Sequence, residues 1–461
     1  VGRLQCKIAE NQIAEIWQQK LLDNSELVTE DGKAVKIIYP GRLNNEQGAD
    51  FSDAVIAVNK ELIRGDVEIH VRSGDWRNHK HHLDPVYNRV VLHVVMWHNG
   101  KEDTRLQNGR KVPVLALDKY IKIPVSQWRN SASGPAAVRL PCTRAAHYLD
   151  TSTIIEFLDK AGEERFLGKA ARFQRELAQI GASQSLYCGV MEALGYSKNK
   201  LPFLELARRL PLRILESAVQ GKISDGERLG RQQALLLGTA GLLSTRCRER
   251  FRENTLDSEW MDRLERIWDS SGQVKAMPSD AWHLFKVRPN NSPIRRLMAM
   301  SCLLLRYREK GLLEGLLGLV GEVPVSRGYY KLKRGLLVNA DDCRTDHFGF
   351  NTAGGMASPT LLGNERAADI TVNVLLPFSF AWSRVVSRPE LEKKALDLYH
   401  LYPRLAENSI ERHMAHQLGL RRGLVSLARW QQGLIHIYNN LCTQGRCGSC
   451  PLGQLQAGDH V

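Results

Sequence analysis

The stretch "GADFSDAVIAVNKELIRGDVEIHVRSGDWRNHKHHLDP", residues 48–85, decides how the first part of the chain is read. Within Gly65–Arg72 the side chains of Asp66, Glu68 and His70 fall at i, i+2 and i+4. In a strand these three share one face, while Val67, Ile69 and Val71 share the other. The run then continues into Asp75, Trp76, His79, His81, His82, Asp84 and Tyr87, and six of the fourteen histidines lie in residues 70–98. Two readings compete. Either the acidic face is the wet outer side of an antiparallel strand, or it gathers carboxylate and imidazole for chemistry.

Outward from this stretch, apolar residues at helical spacing (Ile8, Ile13, Ile16, Trp17, Leu21) predict an opening helix. Short β-rich runs follow at 33–39, 51–58, 65–71, 89–97 and 112–117, separated by Gly, Asn and Asp. Residues 131–147, including "SASGPAAVRLP", read as a linker. Beyond it the pattern is helical: 151–181, 184–196, 202–220, 226–244, 255–270, 293–309, 389–400 and 409–441, with a long Gly-rich loop at 323–360. The expected division is an α+β domain over 1–130, a basic helical domain over 148–330, and a helical C-terminal region over 331–461 with a Cys-rich loop.

Composition narrows the class. The 461 residues are 43% hydrophobic and 25% charged, enough apolar content for a real core. No apolar run approaches the roughly 20 residues that span a bilayer, and the start has no export-type apolar segment. Nine unevenly spaced cysteines argue against a disulfide framework and for a cytoplasmic setting. The net charge of +14 is uneven: residues 1–130 hold 19 basic and 17 acidic side chains, and the other 331 residues hold 45 and 33. Such asymmetry suits a polyanionic partner, DNA or RNA. "KVRPNNSPIRRL" (286–297) adds Ser292 as an N-cap, Pro293 at the first helical position, and Arg288, Arg295 and Arg296 around a helix start that favours phosphate.

The order helix, three strands, short polar segment, strand, with Asp50 opening one strand and Glu68 and His70 inside the next, resembles the PD-(D/E)XK nuclease superfamily. The resemblance covers about the first quarter of the chain. It implies a restriction-endonuclease-like fold, helix plus mixed β-sheet, and a Mg²⁺ or Mn²⁺ ion held by Asp50 and Glu68 for phosphodiester hydrolysis. His70 stands where that superfamily has lysine, which removes a fixed positive charge beside the phosphate. Asp66, Trp76, His79, His81, Asp84 and Tyr87 are then expected to support these residues. Over almost its full length the sequence also resembles an uncharacterised bacterial family known only as a domain of unknown function. The stretches that carry this are "GDVEIHVRSGDWRNHKHHLDPVYNRVVLHVV", "VRPNNSPIRRL", "DITVNVLLPF" and "QQGLIHIYNNLCTQGRCGSCPLG". Two other functions fit the same residues: a non-catalytic nucleic-acid-binding protein on a nuclease-like scaffold, and a small-molecule metalloenzyme using His79, His81, His82 and Asp84.

"LCTQGRCGSCPLG" places Cys442, Cys447 and Cys450 within nine residues, with Gly445 and Gly448 permitting sharp turns. C-x4-C-x2-C supplies three ligands for an iron–sulfur cluster or zinc, sites that generally take four. His436, Cys343 and His460 are candidates for the fourth. Cys6 is a further one implied by the resemblance, since some nucleases of that superfamily bind a cluster through one upstream and three downstream cysteines. Cys142, Cys188, Cys247 and Cys302 are read as lying outside the site.

Overall fold

The computed structural model describes residues 8–19, 27–100, 103–121, 140, 142–143, 145–196, 198–243, 258–271, 275–283, 291–339, 360–452 and 454. Most of the expected linker, with Arg288, Cys6, Cys247, Cys343 and His460, lies outside them.

The chain forms two compact units that do not follow the expected division. The first comprises residues 1–162, 407–424 and 432–461; the second comprises 163–406 and 425–431. The segment around the cysteine loop therefore belongs to the same unit as the N-terminal sheet.

In the first unit the opening helix is α1 (Glu10–Gln19), and the strands are β1 (Leu27–Val28), β2 (Ala34–Tyr39), β3 (Arg42–Leu43), β4 (Phe51–Val58), β5 (Glu61–Arg72), β6 (Val90–Trp97) and β7 (Val114–Ala116). They make one seven-stranded sheet ordered β1-β2-β4-β5-β6-β7, with β3 paired to β4. β4 and β5 are antiparallel, whereas β5–β6 and β6–β7 are parallel. Asn59 and Lys60 both take positive φ, 50° and 73°, as a two-residue hairpin turn between twisted strands requires. At Gly65 the start of β6 comes close to β5: a Cβ there would lie 2.4 Å from the Arg89 carbonyl oxygen and 2.3 Å from a Val91 methyl.

Alternation along β5 sorts its residues as expected. Val67 and Ile69 are buried with Phe51, Ile56, Leu92 and Val94, under Ile13, Ile16 and Trp17 of α1. Trp17 donates from its indole N–H to the Pro40 carbonyl at 2.9 Å. The opposite face is not wet: Glu68 is 5% exposed and His70 1%. Cover comes from the crossover between β5 and β6, where the expected short polar segment holds the single helical turn α2 (Asp75–Asn78), followed by two 3-10 turns, His81–Leu83 and Pro85–Arg89. Elsewhere on this face the Tyr39 hydroxyl lies 2.6 Å from His413 Nε2, and Tyr438 donates to Asp53 Oδ2 at 2.9 Å.

The second unit is helical around one large apolar core. Pro211 divides the expected helix 202–220 into Lys200–Arg209 and Leu212–Ser217. The expected 409–441 is two helices: Ser409–Leu418, which belongs to the first unit, and Ala428–Asn440, of which residues 432–440 do. Part of the expected loop 323–360 is the helix Gly328–Leu336. Gly311–Glu322 is also helical, and "DITVNVLLPF" sits in a helical run in which a π turn, Thr371–Leu375, joins Asn364–Ile370 to Leu376–Val385. Among the described residues no helix is long and apolar enough to cross a membrane.

Candidate functional site

Strand register sets the site. Glu68 and His70 are two apart on β5 and so share a face, and the parallel register puts His93 of β6 beside Glu68. Asp50, one residue before β4, donates its backbone N–H to Glu68 Oε2 at 3.0 Å. Its own Oδ2 accepts the Ile69 N–H at 2.9 Å. The two expected carboxylates are thus joined through backbone amides.

The crossover brings the imidazoles. Lys80 adopts a left-handed conformation, φ 62°, between His79 and His81. That reversal at a non-glycine residue turns both rings toward β5. Ligand atoms of His70, His79 and His81 all lie within 4.8 Å of one another. His70 Nε2 is 3.1 Å from His79 Nδ1 and 3.6 Å from Glu68 Oε1. His81 Nε2 is 3.1 Å from the same carboxylate oxygen, yet it is buried and has no aligned hydrogen bond. The Tyr87 ring lies against His81, centroids 3.9 Å apart, and buried Trp76 meets His70, His81 and His93. Trp76 is itself fixed by its N–H bond to the Arg105 carbonyl at 2.9 Å.

Behind His70 runs a fully buried relay. His70 Nδ1 is 2.9 Å from His93 Nε2, and His93 Nδ1 is 3.0 Å from Thr104 Oγ1. If each ring donates toward Thr104, His70 Nε2 is left as a lone pair facing the cluster. A ligating histidine characteristically has its second nitrogen anchored in this way.

Electrostatics follow burial. Glu68 is pushed up to about 9 by burial and then by the Asp50 carboxylate. Asp50 is raised by burial, against the Ile69 amide. Burial, followed by the charges of His81 and His79, lowers His70 to about 3, and burial also lowers His81 and His93. Neutral imidazoles are the metal-ligating form, and two crowded carboxyls with no cation retain a proton. Three imidazole nitrogens, a carboxylate within reach of two of them, and one buried nitrogen without a hydrogen bond make a donor set that fits a transition-metal ion.

Not every expected residue joins this group. Asp66 accepts the Asp53 N–H at 3.1 Å and lies 3.4 Å from Arg89, which also binds Asp53; it belongs to a neighbouring ionic cluster. Asp84 caps the turn Pro85–Arg89 through the Val86 N–H at 2.9 Å. His82 is absent from the close triad, and its place is taken by His70. Sequence reasoning missed His93 and Thr104, and also Glu10 of α1, whose charge raises Asp50 and Glu68. His93 had a signal: it is the one polar residue in "VVLHVVMW".

The other expected sites fare differently. Ser292 holds the N-cap position and Pro293 the first turn of the helix Pro293–Arg306, but the Ser292 side chain makes no capping hydrogen bond, and Arg295 and Arg296 are buried, 9% and 6% exposed. Arg296 is committed to the Leu361 carbonyl at 2.8 Å and to Asn291 Oδ1 at 2.6 Å. Cys442, Cys447 and Cys450 do line one pocket, together with Cys142. Cys142, expected outside this group, lines the same pocket. His436 instead lies 3.0 Å from Asn440 Nδ2. Cys188 is a buried core thiol, whereas Cys302, also buried, is disulfide-bonded.

The fold and this site define an α+β unit with a candidate metal centre, continuing into a mostly helical region. Residues 10–408 match the family described as "Protein of unknown function (DUF2851)", and the chain belongs to that family. The match ends before the cysteine loop, so "QQGLIHIYNNLCTQGRCGSCPLG" falls outside it. No curated protein and no solved structure matches the chain.

Proposed function

We propose that the chain is a metal-dependent phosphodiesterase acting on DNA or RNA, built on a restriction-endonuclease-like sheet whose site has exchanged lysine for imidazoles. The convergence of His70, His79 and His81 on Glu68 carries this reading. The strand order and the Asp50–Glu68 pairing support the nuclease-like part. A divalent ion at this site would supply Lewis acidity toward a phosphoryl oxygen and toward an attacking water. Mixed imidazole and carboxylate donors favour Mn, Fe or Zn over Mg. Asp50 and Glu68 would balance the ion's charge, and the relay through His93 and Thr104 would orient His70. Exposed His79 marks the side from which substrate enters, with exposed Arg77 and Lys80 beside it to meet phosphate.

The test uses metal-stripped full-length chain, supplied in turn with Mn²⁺, Fe²⁺, Zn²⁺ and Mg²⁺. Substrates are single- and double-stranded DNA and RNA and a chromogenic phosphodiester. Cleavage should appear with a transition ion and fall by more than about 100-fold in Glu68→Gln and His81→Gln. Tight ion binding with every phosphodiester left intact would reject hydrolysis and favour a metalloenzyme of small molecules.

A further inference from the structure

Cys142, Cys442, Cys447 and Cys450 line a single small pocket whose remaining walls are apolar, including Met414 and Ile437. None of the four is in a disulfide. We propose that these four thiolates hold an iron–sulfur cluster, and that its role is to fix the C-terminal segment of the first unit rather than to react with substrate.

The four come from two distant parts of the chain. Cys142 lies in the turn before the helix Thr151–Ile180, where its carbonyl accepts the Ala145 N–H at 3.1 Å. Cys442 opens a 3-10 turn at the end of the helix Ala428–Asn440. Gly445 then reverses the chain with φ +68°, and its N–H bonds back to the Cys442 carbonyl at 3.0 Å. A Cβ at Gly445 would lie 3.1 Å from a Val55 methyl, so the loop is seated on β4. The next turn, Cys447–Ser449, closes with the Cys450 N–H on the Cys447 carbonyl at 3.2 Å. Two tight turns therefore present three sulfurs to the fourth.

The surroundings suit thiolate ligands. Gln417 donates its amide N–H to Cys142 Sγ at 3.2 Å, and hydrogen bonds to sulfur tune such clusters. Burial and the neighbouring thiols push Cys142 up to about 11 and Cys442 well above the usual thiol range. Four cysteine sulfurs among apolar side chains, with no imidazole or carboxylate in the lining, are the all-thiolate donor set that iron–sulfur clusters take. A closed site of this kind contributes directly to folding, because the unfolded chain does not preform it. This proposal is independent of the phosphodiesterase reading.

The full-length chain is purified anaerobically. It should be brown, contain iron and acid-labile sulfide in equal amounts, and show sulfur-only ligation at the iron X-ray absorption edge. Cys142→Ser should lose colour and sulfide as completely as Cys447→Ser, while Cys188→Ser keeps both. Gln417→Leu should keep the iron and shift the cluster's reduction potential. Zinc without labile sulfide, metal-free protein, or full iron and sulfide in Cys142→Ser would each overturn the proposal. If the serine variants do not fold, nitrogen or oxygen ligation of iron in the unaltered protein would overturn it instead.

Discussion

His70 Nδ1 and His93 Nε2 lie 2.9 Å apart on adjacent parallel strands, and both residues are at most 1% exposed. Each ring is the other's hydrogen-bond partner in a place water does not reach. His93→Leu should therefore leave a buried His70 nitrogen unsatisfied, at a cost of about 1–3 kcal/mol in chemical denaturation. If His70 is a ligand, the same change should weaken Mn²⁺ binding about 10- to 100-fold although His93 touches no ion. Calorimetric titration reads this directly, and unchanged affinity would remove His70 from the ligand set.

Glu68 makes the stability of the metal-free chain depend on pH. Its folded value, about 9, lies above the unfolded 4.5. The neutral carboxyl is thus favoured in the fold, and its contribution is complete below about pH 4.5 and is lost as pH rises toward 9. Glu68→Gln cannot ionise. In chelator at pH 8 the variant should melt above the unaltered chain, and at pH 4 the difference should vanish. A gain of the same size at both pH values would show that ionisation is not the cause.

Lys80 carries backbone strain where His79 and His81 turn. Lys80→Gly relieves the left-handed penalty and should stabilise the chain or leave it unchanged, with metal binding retained. Lys80→Val should cost roughly 1–2 kcal/mol and disperse the imidazoles. Melting curves with and without Mn²⁺ separate the two, and equal behaviour of Gly and Val would mean the turn is not strained.

Gly65→Ala tests the contact between β5 and β6. The added Cβ meets a backbone carbonyl, which cannot rotate away. Destabilisation of about 1–3 kcal/mol is expected, with loss of metal affinity as β6 moves and carries His93 from His70. Wild-type stability in this variant would show that the strands can separate freely at that point.

The period-two pattern of "GDVEIHV" was enough to place β5 and to sort its two faces, because one face is plainly apolar. That the polar face is interior was not legible, since alternation of this kind normally marks a solvated side. The cover comes from 3-10 turns and one helical turn, which have no periodicity to read. For the same reason His70, rather than His82, completing the triad could not be foreseen: it depends on the φ of Lys80. Replacing His70 by lysine, the superfamily's residue, should be damaging, because the side chain is enclosed by His93, His79 and Trp76. The helical run through Thr371–Leu375 was hidden by β-branched residues and Pro377. Cys142 was missed for another reason: its polar contact, Gln417, is 275 residues away in sequence.

The first unit is interrupted: residues 407–424 and 432–461 complete a body whose sheet is made before residue 120. Synthesis runs at about 5–20 residues per second, so the intervening segment takes on the order of ten seconds to a minute to emerge. Throughout that interval Tyr39 lacks His413 and Asp53 lacks Tyr438. The nascent sheet must wait on the ribosome with one side open, and a message cut short after residue 406 yields a chain that can never close it. The part of the protein born first is the part that the last residues complete.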